Sequence, residues 1–190
     1  LKEFNNISII FDDFLKRDLR LDIGKYEYDN LYLVANLPYY ITTPIIEKII
    51  DSNLPFKKIV IMIQKEVGER LNAKPKTKEY NSLTVYLNYY FDIKKEFVVS
   101  RNCFIPKPNV DSIVISLTRK NNLLYLKDVN NFNKLLKDSF KFKRKTIRNN
   151  LKNYDLDKVE NILKKYNFDL NTRAEEMPLE VFINLTNDLF

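Results

Sequence analysis

The apolar residues of this chain change their spacing once, between Arg119 and Asn130, and that change limits the folds open to it. Before it they come in short runs: Ser8–Phe11 (SIIF), Leu31–Ala35 (LYLVA) and Lys57–Ile63 (KKIVIMI), each closed by a polar residue. Runs of β-branched and aliphatic residues of this length suit buried parallel strands. Between the second and third, Thr43 can cap a helix and Pro44 fits its first position, where a missing N–H costs nothing. Ile45, Ile46, Ile49 and Ile50 then repeat on one face, so the segment reads as a βαβ unit. Gln64–Ala73 and Ser82–Tyr90 predict two more helices, and Phe91–Ser100 and Asp111–Arg119 two more strands. After Asn130 only helical periods remain: Phe132, Leu135, Leu136, Phe140; Ile147, Leu151; Leu156, Val159, Ile162, Leu163, Tyr166; Leu179, Phe182, Ile183, Leu185. Asp155 and Asp157 both offer a start for the third of these helices, and Pro178 for the fourth. The expected fold is α/β: part of a Rossmann-like sheet over residues 1–119, a connection over Lys120–Val129, and a small all-helical domain within 120–190.

Composition removes several chemistries. With two glycines, Gly24 and Gly68, standing alone, no glycine-rich phosphate or nucleotide loop can be built from these residues. The absence of histidine excludes a histidine general base, a Ser-His or Cys-His pair and a histidine metal ligand. The single cysteine, Cys103, forms no internal disulfide or structural zinc site, and no metal is expected. This pattern predicts a cytoplasmic chain with no membrane partner. Leu1–Phe4 is neither a signal peptide nor a natural start, which predicts a trimmed chain.

The net charge of +7 sits in one place. From Lys134 to Lys152 there are eight cations against one acid, Asp138, and this window accounts for the whole excess. A basic segment in a neutral background is the footprint of a polyanion partner. Within Lys141–Arg148 (KFKRKTIR), a helix would carry Lys141, Lys145 and Arg148 to one side, with Arg144 adding to that face and Lys143 nearby. A solvated surface helix has the same composition, so the pattern alone leaves both readings open.

The sharpest chemical signal is Asn36-Leu37-Pro38-Tyr39, directly after the Leu31–Ala35 run. Ligands of open α/β sheets bind beyond the carboxyl ends of strands. There, the side-chain carbonyl of Asn36 and the main-chain carbonyl of Leu37 can both accept from an exocyclic amine. Pro38 stiffens the turn, and Tyr39 offers a face on which a base can stack. Adenine's amine is a poor nucleophile because its lone pair is delocalised into the ring. Two acceptors that draw its hydrogens out of plane localise that pair, and no base is needed before attack. A plain strand-end turn is also compatible with the tetrapeptide.

Four blocks resemble the KsgA-type ribosomal RNA adenine dimethyltransferases, in family order: Asn36–Ile46 (NLPYYITTPII), Phe104–Ser112 (FIPKPNVDS), Arg144–Leu151 (RKTIRNNL) and Arg173–Asn187 (RAEEMPLEVFINLTN). The resemblance implies a class I methyltransferase sheet, here its C-terminal part, followed by an RNA-binding helical domain. It implies S-adenosyl-L-methionine-dependent dimethylation of two adjacent adenines near the 3′ end of small-subunit ribosomal RNA, a role in ribosome biogenesis, and a monomer. Asp13 would bind the cofactor's adenine amine, with Phe14 beside the base and Asn36 next to both ligands. Asp12 is the weaker choice, and the Asp pair also fits a capping turn. Phe104, in a proline-stiffened loop, would sandwich the flipped target adenine with Tyr39, although a loop-anchoring phenylalanine looks the same. Asp111-Ser112 reads as ordering the turn into the last strand, and Arg173 with Glu175 and Glu176 as a local ion-pair cluster. The family's glycine-rich cofactor loop has no counterpart here, so this chain resembles a member without its first third and is expected to bind cofactor weakly or not at all. Two alternatives remain: a macrolide-resistance-type large-subunit methyltransferase, which shares Asn-x-Pro-Tyr, and a non-catalytic RNA-binding or ribosome-assembly factor.

Overall fold

The computed structural model describes residue 4 and residues 6–190; Leu1–Glu3, on which the reading of the N-terminus turned, lie outside the described residues. Four strands form one mixed sheet: β1 (Leu31–Asn36), β2 (Phe56–Gln64), β3 (Phe91–Val99) and β4 (Ser112–Arg119), in the order β1-β2-β4-β3. The helices are α1 (Leu19–Ile23), α2 (Thr42–Asp51), α3 (Lys65–Leu71), α4 (Ser82–Tyr90), α5 (Val129–Ser139), α6 (Ile147–Asn150), α7 (Leu156–Lys164) and α8 (Leu179–Leu189).

The expected βαβ unit is present. β1 and β2 pair in parallel through α2, which buries Ile45, Ile46, Ile49 and Ile50 against the sheet. β4 then enters antiparallel to β2, and β3 pairs antiparallel to β4. This register places the carboxyl ends of β1, β2 and β3 beside the start of β4: Asn36 lies opposite Met62, Gln64 opposite Ser112, and Val99 opposite Ser112.

Three local expectations are corrected. Ser8–Phe11 is not a strand; Ile9 is 69%, Ile10 56% and Phe11 104% exposed. A strand exists through its ladder, and among the described residues no neighbour pairs with this segment, so extension alone gains nothing. β1 is covered on one face only, leaving Tyr32 and Val34 exposed, because α2 packs on the other. α2 begins at Thr42 rather than after a Thr43 cap, and Pro44 occupies its third position, still within the turn whose N–H groups have no helical partner.

The last strand ends at Arg119, and the run of helices after it begins at Val129. Asp155 caps α7 by accepting from the Lys158 N–H at 3.1 Å, and α8 starts directly after Pro178. The two parts share one core. Phe132 of α5 packs against Tyr86 and Tyr89 of α4, and Tyr80 meets Phe140 edge-on.

Candidate active site and RNA contact residues

Asn36 ends β1, and the Leu37 N–H donates to the Met62 carbonyl at 3.1 Å, so the chain leaves the sheet in a fixed direction. Pro38 opens a 3₁₀ turn, Tyr39–Ile41, that leads straight into α2. The Pro38 carbonyl accepts from the Ile41 N–H at 3.3 Å and from the buried Thr42 hydroxyl at 3.0 Å. Among the described residues, nothing donates to the Asn36 side-chain carbonyl or to the Leu37 carbonyl. Two acceptors at the carboxyl end of a strand are thus left open for an incoming donor.

Tyr39 is half-buried, and its hydroxyl lies 2.6 Å from Oγ of Ser112. The neighbouring Tyr40 is 86% exposed. Phe104 lies in the loop between β3 and β4, half-buried, with Ile105 exposed beside it. That loop is closed at its base. The Asp111 carboxylate accepts from the Arg101 N–H at 3.0 Å, and the Arg101 guanidinium donates to the Asn109 carbonyl at 3.0 Å. The Asp111 carbonyl also accepts from the Lys65 N–H at 3.0 Å. Asp111 therefore orders the turn, as expected. Asn36, Leu37, Pro38, Tyr39 and Phe104 thus gather at one end of the sheet, with Ser112 between their two segments.

Asp13 and Phe14 lie on a separate segment. Asp13 caps the 3₁₀ turn Phe14–Lys16 by accepting from the Leu15 N–H at 3.0 Å through one oxygen. Its other oxygen has only Lys16, at 3.9 Å, and the side chain is 48% exposed. Asp12 is committed elsewhere: it accepts from the Asp13 N–H at 2.8 Å and pairs with Arg17 at 3.1 Å. Those two contacts, the backbone one first, hold its carboxyl below the usual range. Of the pair, Asp13 is the one with an oxygen to offer. Phe14 packs partly buried against the core, and Lys48 of α2 holds the turn by donating to the Leu15 carbonyl at 2.8 Å. No hydrogen bond joins Asp13 to Asn36 among the described residues.

The glycines bear on the cofactor. Gly24 ends α1, where a Cβ would sit 2.8 Å from the Arg20 carbonyl oxygen, and Gly68 packs beneath Ile113. Gly24 closes a helix and Gly68 lets α3 approach β4, and neither forms a loop that could cradle an anionic group. Asp13 keeps one carboxylate oxygen with no hydrogen-bond donor among the described residues, and neither glycine supplies a backbone cradle.

The basic segment is not the helix the spacing predicts. Residues 141–146 are turns, and α6 is a single turn, Ile147–Asn150. Asn150 sets this shape. Its amide donates to the carbonyls of Ser139 at 2.7 Å and Phe142 at 3.3 Å, and its oxygen accepts from the Phe142 N–H at 3.3 Å. The N–H groups of Ile147 and Arg148 go to the carbonyls of Thr172 and Leu170 instead of to a preceding helical turn. A helix through KFKRK would also stack like charges at neighbouring positions with no acid between them. Lys141, Lys143, Arg144, Lys145 and Arg148 are all exposed, and none pairs with a carboxylate among the described residues. The local acid, Asp138, is taken by the Tyr154 hydroxyl at 2.6 Å. The Arg173 cluster also differs from expectation: Glu176 accepts from the Arg173 backbone N–H at 2.8 Å, and among the described residues Arg173 makes no side-chain ion pair.

Comparison with known proteins fits this geometry. The ribosomal RNA adenine dimethylase family matches residues 1–189. The chain belongs to that family. Among its relatives, a ribosomal RNA small subunit methyltransferase A of Aster yellows witches'-broom phytoplasma is 49% identical over 189 residues, covering 96% of this chain and 69% of the relative. Proteins of the same name from Clostridium botulinum (43% identical, all of this chain, 70% of the relative) and Streptococcus gordonii (40%, all of this chain, 68% of the relative) are similar throughout. Among solved structures, a dimethyladenosine transferase from Plasmodium falciparum superposes with a TM-score of 0.78 at 24% identity, covering this whole chain and 77% of that one. The 23S rRNA methyltransferase ErmE gives 0.68 at 21%, covering 99% of this chain and 74% of its own. Both likenesses show that the fold is that of a class I methyltransferase. The class I sheet expected from the sequence is thereby confirmed.

Two features had no sequence signal. The Tyr39–Ser112 contact is one. The other is a cleft of about 740 Å³ between α3, the loop before α4 and the Phe140–Lys143 turn, whose walls carry both cations (Arg70, Lys74, Lys143) and acids (Glu66, Glu69, Glu79).

Proposed function

We propose that the chain acts as a small-subunit ribosomal RNA adenine N6,N6-dimethyltransferase, working in ribosome biogenesis on two adjacent adenines near the RNA's 3′ end. The observation that carries this reading is the pair of open carbonyl acceptors, Asn36 and Leu37, beside Tyr39 at the carboxyl end of β1. Relatives named for the small subunit, at 40–49% identity, favour that substrate over a large-subunit one.

The target base leaves its stack to reach such a pocket. Tyr39 and Phe104 receive its two faces. Asn36 and the Leu37 carbonyl accept from its amine, turning the nitrogen lone pair out of conjugation and toward the methyl donor. S-adenosylmethionine, when bound, would supply the electrophilic methyl group, its S–CH3 bond breaking as the N–CH3 bond forms; the amine, acidic once methylated, then loses one proton to solvent. Rate then comes from alignment and fixed dipoles rather than from a titrating base. In the second round one amine hydrogen remains, so the two acceptors share it, and the pocket must admit the first methyl. The exposed turn with Lys141, Lys143, Arg144, Lys145 and Arg148 contacts RNA phosphates, and the chain works as a cytoplasmic monomer. Among the described residues no helix is long and apolar enough to cross a membrane.

Asn36→Ala is the direct test, read as labelled-methyl transfer to unmethylated small-subunit particles at saturating S-adenosylmethionine. If loading is too weak for turnover, the same substitution is measured in a version extended N-terminally with a glycine-rich loop. Turnover should fall more than tenfold with RNA affinity near normal. A smaller loss, under about 1.4 kcal/mol, overturns the role.

The 190-residue polypeptide itself should bind S-adenosylmethionine weakly, since Asp13 and Phe14 reach only one end of it. Calorimetry giving micromolar affinity would refute that. Undetectable transfer with normal RNA binding would favour an assembly-factor role for this polypeptide.

A further inference from the structure

Ser112 is the first residue of β4 and fully buried, and its Oγ meets the Tyr39 hydroxyl at 2.6 Å. The two residues belong to segments that are not neighbours. β2 lies between β1 and β4, so the strand axes are about 9.6 Å apart, twice the usual spacing. The Tyr39 ring therefore lies across the carboxyl end of β2, with its far end moored to β4. Its near end is held by the turn whose Pro38 carbonyl takes both Ile41 and Thr42. Tyr40, next in sequence, has no hydroxyl partner among the described residues and is 86% exposed. Of two adjacent tyrosines, only the one facing the acceptors is fixed at both ends.

Ser112 is also where the Phe104 loop lands. Val99, the last residue of β3, pairs with it, and Asp111 beside it closes the loop. One buried hydroxyl thus references the Tyr39 ring to the strand that carries the Phe104 loop. We propose that Ser112 is a positioning residue that fixes the ring's angle and hence the slot between Tyr39 and Phe104 into which the adenine slides. A ring already fixed loses little freedom when a base stacks on it, so less of the stacking gain is spent on ordering. The proposal rests on the reading of Tyr39 as a stacking face, and its test separates the two.

The probe is a hairpin of small-subunit ribosomal RNA carrying 8-vinyladenosine, a fluorescent adenine analogue that keeps the 6-amine and is quenched by stacking, at one of the two adjacent adenines. The full chain is titrated with it, so cofactor loading plays no part. Ser112→Ala and Tyr39→Phe should each weaken binding roughly fivefold, the size of one modest hydrogen bond. Each should also raise the emission of the bound state. The double variant should match either single one instead of multiplying them, because both remove the same contact. Tyr39→Phe keeps ring and volume, so it carries the test even if Ser112→Ala folds poorly. Bright emission from Tyr39→Ala with wild-type behaviour of Ser112→Ala and Tyr39→Phe overturns the positioning role and leaves the stacking face intact. Multiplicative losses in the double variant also overturn it. Wild-type emission from Tyr39→Ala overturns the stacking face and the proposal with it.

Discussion

Replacing Gly68 with alanine sets two effects of opposite sign against each other, and the structure decides between them. Alanine is the better helix former, which favours the variant by about 1 kcal/mol in a helix interior. Gly68 lies inside α3, however, where a Cβ would stand 2.3 Å from Cγ2 of Ile113 and 3.5 Å from Cγ2 of Ile115. Carbon atoms in contact rest at about 3.5–4.0 Å, so the first distance is short by more than an ångström. Ile113 is 3% exposed, and its branched carbon leaves little torsional escape. Its strand is paired on both sides, with Ile63 of β2 and Val98 of β3. Either α3 lifts from the sheet or Ile113 leaves its rotamer, and overpacking of this kind costs roughly 1–3 kcal/mol. The stiffness of the obstacle puts the cost at the upper end, so the net change should be a loss of about 1–2 kcal/mol. For a chain of this size that lowers Tm by roughly 2–8 °C in a circular-dichroism melt. A second variant checks the cause. Ile113→Ala alone opens a cavity and should cost about 2–5 kcal/mol, but the added methyl of alanine 68 would occupy part of that space. The double variant should then be more stable than the sum of the singles by at least about 0.5 kcal/mol. A raised Tm for Gly68→Ala, or strict additivity in the double, would show that α3 and β4 are not in such close contact.

Two further outcomes are expected. Arg144→Gln with Arg148→Gln should weaken binding to small-subunit particles and flatten its salt dependence by roughly 0.7–0.9 in slope per lost contact, without changing which adenines are modified; an unchanged slope over a salt series would mean that RNA docks elsewhere. At high pH the core that joins the two parts should fail: burial pushes the hydroxyls of Tyr80, Tyr86, Tyr89 and Tyr90 above their ordinary value of 10.0. The folded chain then keeps phenolic protons that the unfolded chain releases, so stability is intact below pH 10 and falls above it by about 1.4 kcal/mol per pH unit for each tyrosine. Denaturant unfolding of equal midpoint at pH 9 and pH 11 would refute this.

The fold was legible wherever a segment's own pattern decided its structure. The isoleucines of α2 and the apolar positions of α5 and α7 face the core as their spacing requires. Errors arose where partners decide. Ser8–Phe11 has the composition of a buried strand, yet a strand is made by its neighbour. KFKRK has helix-forming residues, and propensity is a weak prior that tertiary contacts override. There the override is visible in Asn150, whose side chain takes three backbone bonds that fold the segment into turns. The cations are exposed and, among the described residues, none meets a carboxylate; their spacing follows a bent backbone instead of one helical face.

The site divides the same way. Asn36, Leu37 and Tyr39 are adjacent in the chain, and their chemistry could be argued from local geometry at a strand end. Phe104 required the sheet to bring two distant segments together, and only the resemblance pointed to it. Ser112 went unrecognised because a serine's value lies in what its hydroxyl meets, and here the partner is 73 residues away. The order of the strands makes that meeting unavoidable: with β4 inserted between β2 and β3, the residue that starts β4 stands beside the end of β2, over which any side chain leaving β1 toward the Phe104 loop must pass. A hydroxyl at that crossing holds the ring without occupying the acceptors of Asn36 and Leu37. The topology that makes the site hard to read from sequence is therefore the same feature that lets it be assembled from carbonyls, a ring and a hydroxyl, with no titrating base among them.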